Sequence, residues 1–312
     1  MPKSEAQQKR MYDAACKNVL SEKWIIASIL KGCVAEYRDC SMSDIVSKYL
    51  LGTPEVGTTK VEPDIAPKIE SQHTEDKSET EGTVTFDIRF TAKAPSDDQP
   101  IELIINIEAQ NKFNPGYSLL KRAIFYCSRM ISSQYGTVFT KSQYDKIKKV
   151  YSIWICTAPT QDFSYTISQY SMQKTDLIGS THPKKEEYDL LTPIFVCLGS
   201  KTYKEIKNNL LSMLNLVLLD NISPEEKTKE LSERFSIHLT PHLENGVREM
   251  CNLSEGIEQR GVERGINLGK QEEKVATALR MIKSNTLSLE QIATFLELPL
   301  EKVQELADGK SA

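Results

Sequence analysis

The chain has 312 residues, 26% charged and 39% hydrophobic, enough for one large or two small domains with a real core. Lys and Arg total 39 against 43 Asp and Glu, a net charge of -4 that excludes a global basic footprint and leaves any nucleic-acid binding to a local patch. Seven scattered cysteines without a C-x-x-C pair fit reduced thiols better than a zinc site or a disulfide framework, and the start is polar with no apolar run long enough for a signal peptide core or a bilayer span, so a reduced, cytoplasmic protein with no membrane partner is expected.

Residues 11–38 carry helical spacing in two pieces, with Trp24, Ile25, Ile29, Leu30, Cys33 and Val34 on one side. Glu36 falls in the last turn, where an acid opposes the helix dipole and so hints at another task. A short helix capped near Ser43-Asp44 follows. An acidic, Pro/Gly-interrupted connection at about 52–81 comes next, with one short strand expected at Val61 or Ile69 and His73 as a loop residue. The next pattern is a β-hairpin, 83–90 and 100–110, turning at 94–98. A loop at 111–117 leads to an amphipathic helix at 118–135, and 150–156 is a strand apolar on both faces, hence inside a sheet. Another strand is expected at 193–198, with 188–191 as a candidate extension. Helices are expected at 201–220, 224–235 and 240–252, the second with Ser223 as cap and Pro224 in its first turn. Gly256, Gly261, Gly265 and Gly269 punctuate a charged stretch that is expected to be a weakened helix or flexible connector. A helix at 275–283 and two short ones around 288–303 close the chain in a helix-turn-helix-like outline. Glu301, Glu305 and Asp308 on the last helix favour a helical or oligomerising hairpin over a DNA reader.

The chemistry concentrates in the hairpin. Asp87 lies within the first strand and Glu108 near the end of the second, and a buried acid needs a partner that a metal ion can supply. Asp87, Glu108 and the backbone carbonyl of Ala109 together form an oxygen donor set suited to a hard cation. Gln110 follows on the same face as Glu108, placed to hold a water or touch a phosphate. Glu36 is a candidate for a second metal or a metal-bound water, provided its helix packs beside the sheet.

This order of helix, hairpin, Glu108-Ala109-Gln110 strand, helix and strand resembles the PD-(D/E)XK nuclease core. The stretches 81–90, 104–110, 115–117, 121–134 and 148–154 are similar to the PD-(D/E)XK nuclease family transposases of bacteria, the Rpn-type recombination-promoting nucleases. That resemblance implies an α/β (α+β) fold: a restriction-endonuclease-like mixed sheet flanked by helices in 1–200, a helical extension in 201–255 and an all-helical tail in 256–312. It implies a Mg²⁺-dependent DNA endonuclease, with Mn²⁺ as the substitute ion, tied to recombination or mobile elements. Asp87 and Glu108 take the motif acids, and Gln110 stands where the motif has Lys, a neutral group for a point charge. Lys121, Arg122 and Tyr126 on the following helix become candidates to contact the DNA backbone. A catalytically inactive DNA- or partner-binding protein on the same scaffold is the competing expectation. A homodimer through the tail is the arrangement that symmetric double-strand cutting requires.

Overall fold

The computed structural model describes residues 5–50, 55–56, 75–78, 82–85, 87–95, 101–111 and 113–309. The chain divides into two compact units, Met1–Asn252 and Leu253–Ala312. In the first, α1 (Glu5–Leu20) and α2 (Lys23–Cys33) precede α3 (Met42–Asp44), which runs into a π turn at Ile45–Tyr49. The strands are β1 (Glu55–Val56), β2 (Glu75–Ser78), β3 (Gly82–Thr85), β4 (Ile88–Ala94) and β5 (Ile101–Gln110). Then come α4 (Leu119–Ser132), β6 (Lys149–Cys156), β7 (Thr166–Gln169), β8 (Leu191–Cys197), α5 (Asn209–Leu218) and α6 (Pro224–Glu233). The long helix α7 (Pro241–Ser284) crosses the unit boundary.

Six strands form one mixed sheet in the order β1-β4-β5-β6-β8-β7. β5, β6 and β8 run parallel at its centre, with antiparallel pairs on either side. Centrality explains the composition of β6: a parallel strand covered on both faces has no polar side, and Val150 through Cys156 are all buried. Helix α4 covers one face. Its Leu119, Ala123, Tyr126, Cys127 and Met130 pack on Ile104, Val150, Trp154 and Cys156, which share that face by register. α1 lies against β5, and α2 packs on α5. Gln134, buried just beyond α4, locks the helix end to the sheet by bonding both the amide and the carbonyl of Lys148.

The mixed sheet flanked by helices and the helical C-terminus match the expected restriction-endonuclease-like class. Two local expectations change. The first hairpin strand is two strands: β3 pairs with β2 in a separate two-stranded sheet, while β4 pairs with β5 and continues to Ala94. Asp87 therefore sits at a break, not within a strand. The short strand near Val61 or Ile69 and the His73 loop lie outside the described residues. The helix expected at 201–220 begins at Asn209, after a 3₁₀ turn at Tyr203–Glu205 closed by a Thr202–Glu205 capping box.

The helical stretch after residue 200 belongs to the first unit up to Asn252. Its grip on α2 is close: a Cβ placed on Gly32 would lie 2.6 Å from Leu210 Cδ2 and 2.9 Å from Leu210 Cβ. The second of those atoms cannot move without the α5 backbone. Gly32→Ala is therefore expected to destabilise the first unit by ~1–3 kcal/mol, the usual cost of overpacking, measured as a lowered denaturant midpoint with an unchanged slope.

In the second unit, the glycine-punctuated stretch is continuous helix within α7. α8 (Leu289–Leu296) and α9 (Leu300–Ala307) form the expected hairpin. Ile292, Ala293, Leu296, Val303 and Leu306 pack with Ala278 of α7. Ser288 and Gln291 cap α8 reciprocally, and Glu297 ends it in a left-handed turn.

Candidate active site

The site assembles where β4 begins and β5 ends. β4 and β5 pair Ile88 with Ile107, so the next position outward on each strand brings Asp87 to Glu108. Two reciprocal hydrogen bonds fix the pair: the Asp87 amide donates to Glu108 Oε1 at 3.0 Å, and the Ala109 amide donates to Asp87 Oδ2 at 3.0 Å. The strand break at Asp87 has a local cause in these bonds, because its amide and carboxylate serve β5 side chain and backbone in place of a ladder. Ala109 thus enters the site through its N–H.

Glu108 is only 4% exposed. Burial, and then the Asp87 charge, push its carboxyl up to about 8 from an ordinary 4.5. Hydrogen bonds from the Asp87 amide and the Asn106 side chain, together with nearby Arg122, pull the other way. Asn106, fully buried two positions earlier on the same face, also donates to Ser152 Oγ at 3.3 Å, which takes the Trp154 indole N–H at 2.9 Å. This polar row under the acid was visible in the sequence as an Asn amid Ile and Leu. Gln110 shares the face of Glu108 two residues on, as alternation requires.

Helix α1 supplies residues that sequence reasoning missed. Lys17 Nζ lies 2.6 Å from Asp87 Oδ1. One turn earlier, Asp13 accepts a 2.8 Å bond from the Asn111 amide group, and Asn111 in turn accepts from Thr157 Oγ1 at 2.8 Å. Asp13 and Lys17 are an i,i+4 pair on one face of α1, roughly opposite the buried Ala15 and Val19. That spacing was the available signal.

On the α4 side, Arg122 is held between two tyrosines, donating to Tyr117 Oη at 2.8 Å and to Tyr126 Oη at 3.1 and 2.6 Å. Its guanidinium lies 5.3 Å from the centre of the fully buried Trp154 ring, and Trp154 is the register partner of Glu108. Arg122 and Tyr126 therefore sit beside the acid pair, while Lys121 is exposed.

Glu36 is not brought to this group. It lies in a 3₁₀ turn, Ala35–Tyr37, where it takes the Tyr151 hydroxyl at 2.8 and 2.6 Å and pairs with Lys149 at 3.3 Å. Tyr151 and Trp154 are three positions apart and so point to opposite sheet faces. Lys149 is level with Leu103, five residues back along β5 from Glu108, or roughly 16 Å. The acid at the helix end serves the Tyr151–Lys149–Asp189 cluster instead.

The donor set fits a hard cation. Asp87 and Glu108 offer oxygens, and burial beside Asp87 pushes the Glu108 carboxyl up. Among the described residues there is no group of three or more His, Cys, Asp and Glu that could hold a metal ion. Two carboxylates, with the remaining positions left to water and backbone, are the kind of oxygen donors that a hard divalent cation takes. Among the described residues, no helix is long and apolar enough to cross a membrane.

No curated protein and no solved structure matches the chain. A family model does, over residues 64–250, well over half of the sequence and including the acid pair, α4 and the central strands. The chain belongs to the PD-(D/E)XK nuclease family transposases.

Proposed function

We propose that this protein is a divalent-metal-dependent DNA endonuclease that hydrolyses phosphodiester bonds, in keeping with the nuclease and mobile-element association of its family. The observation that carries the reading is the clasp between Asp87 and Glu108, which leaves two carboxyls sharing one corner with Glu108 pushed well above its ordinary range. Two such groups cannot both ionise cheaply unless a cation joins them. Asp87, Glu108 and the Ala109 carbonyl hold Mg²⁺, or Mn²⁺ in its place, and the ion supplies positive charge against the scissile phosphate when bound. Gln110, on the face of Glu108, holds the attacking water or the phosphate by hydrogen bonds. Arg122, with Tyr126 fixing its guanidinium, meets the DNA backbone from α4, and exposed Lys121 adds a second contact. A homodimer serves if both strands are cut.

The second reading, a non-cleaving DNA- or partner-binding protein, draws on the neutral Gln110 and the net charge of -4. Supercoiled plasmid incubated with Mg²⁺ or Mn²⁺ separates the two. Nicking by the wild-type chain, lost in Asp87→Ala, supports the endonuclease. Binding without nicking by either protein supports the scaffold.

A further inference from the structure

The strand that carries Glu108 ends in a neutral amide, yet the site has a cation from elsewhere. We infer that Lys17 of α1 is a catalytic residue of this site, the positive group that faces the scissile phosphate; this rests on the endonuclease reading above. Three observations carry it. Lys17 Nζ is 2.6 Å from Asp87 Oδ1, so the ammonium lies at the acid pair itself. α1 is pinned there independently, because Asp13 holds Asn111, three residues beyond Glu108, at 2.8 Å. Arg122, also near the pair, is held by two tyrosine hydroxyls on the α4 side, where the reading above gives it the DNA backbone, whereas the Lys17 side chain is 23% exposed and ends in a flexible four-carbon stem.

The chemistry follows from like-charge competition. With no divalent ion present, Lys17 neutralises Asp87 and lets the two acids lie together. Asp87 holding a divalent ion would release the ammonium by like-charge repulsion, leaving Lys17 tethered within the site and free to turn to the incoming phosphate. Lys17 thus weakens cation binding while strengthening the transition state, a division that an ion pair of merely structural value would not produce.

The test uses the full chain and two readouts, Mn²⁺ affinity by calorimetry and plasmid nicking. Lys17→Met is expected to bind Mn²⁺ as tightly as wild type or up to roughly 10-fold tighter, since a competing charge is gone, and to nick about 100-fold more slowly, the usual loss for a group that stabilises transition-state charge. Lys17→Arg recovers part of the rate. Lys17→Gln keeps a donor to Asp87 without the charge and repeats the test should Lys17→Met melt early. Wild-type nicking by Lys17→Met and Lys17→Gln, or loss of Mn²⁺ binding in step with nicking, overturns the assignment while leaving Asp87-dependent cleavage intact. Absence of nicking in the wild-type chain overturns the endonuclease reading and this role with it.

Discussion

Replacing Asp87 by Asn lowers Mg²⁺-dependent plasmid nicking by roughly 10³-fold or more, about 4 kcal/mol on the barrier. The variant is chosen because it separates charge from structure. An Asn side-chain oxygen still accepts the Ala109 N–H, which Asp87 Oδ2 does at 3.0 Å, so the start of β4 stays docked on β5. What disappears is the negative charge that draws both Lys17 and a divalent ion to this corner. Cleavage and Mn²⁺ affinity should therefore fall together while the melting temperature stays close to that of the wild type. Asp87→Asn nicking at the wild-type rate would remove this corner from the chemistry altogether.

Glu108→Gln yields an equally large loss of nicking but, unlike Asp87→Asn, changes stability, and the sign can be worked out. The Glu108 carboxyl is pushed up to about 8 in the fold against 4.5 in the unfolded chain. The folded state therefore holds a proton that the unfolded state has released, and the stability contributed by that proton is fully present below about pH 4.5 and lost as the pH rises towards 8. In metal-free buffer the wild-type chain becomes less stable across that window. Glu108→Gln has nothing to ionise and escapes this loss, so at pH 8.5 it gains ~1–3 kcal/mol, or roughly 3–10 °C in melting temperature. At pH 5 the two proteins melt together. Added Mg²⁺ restores the wild type at high pH by binding the folded state and leaves the variant unmoved. Parallel pH profiles for the two proteins would show that Glu108 is not the group that titrates.

The pair at the centre of these experiments could be read from the sequence because it depends on local rules. Alternation along two neighbouring strands brings residues near their facing ends together, and Glu108 and Gln110 must share a face whatever else the chain does. What escaped was set by long-range packing. The β4 register puts Asp87 at a break that no alternation pattern reveals, because Thr83 and Thr85 continue the same period into a different sheet. Glu36 was judged by its place near a helix end, but its partner is Tyr151, 115 positions away, on the far face of the sheet. Lys17 and Asp13 reach the site only because α1 packs against β5, a contact that no local pattern specifies. Gly256, Gly261, Gly265 and Gly269 cost only about 1 kcal/mol each in a helix interior, and α7 runs through all four.

Arg122 over Trp154 gives the protein a built-in optical reporter. The chain has two tryptophans, Trp24 and Trp154; the second is fully buried, with its indole N–H on Ser152 and a guanidinium 5.3 Å from the ring centre. Emission from such an indole depends on the charge above it. In a Trp24→Phe background, an oligonucleotide whose backbone pulls Arg122 away from the ring changes the Trp154 fluorescence on docking, and Arg122→Lys leaves it dark to the same ligand. The encounter with DNA then becomes visible in a stopped-flow trace before any bond is cut.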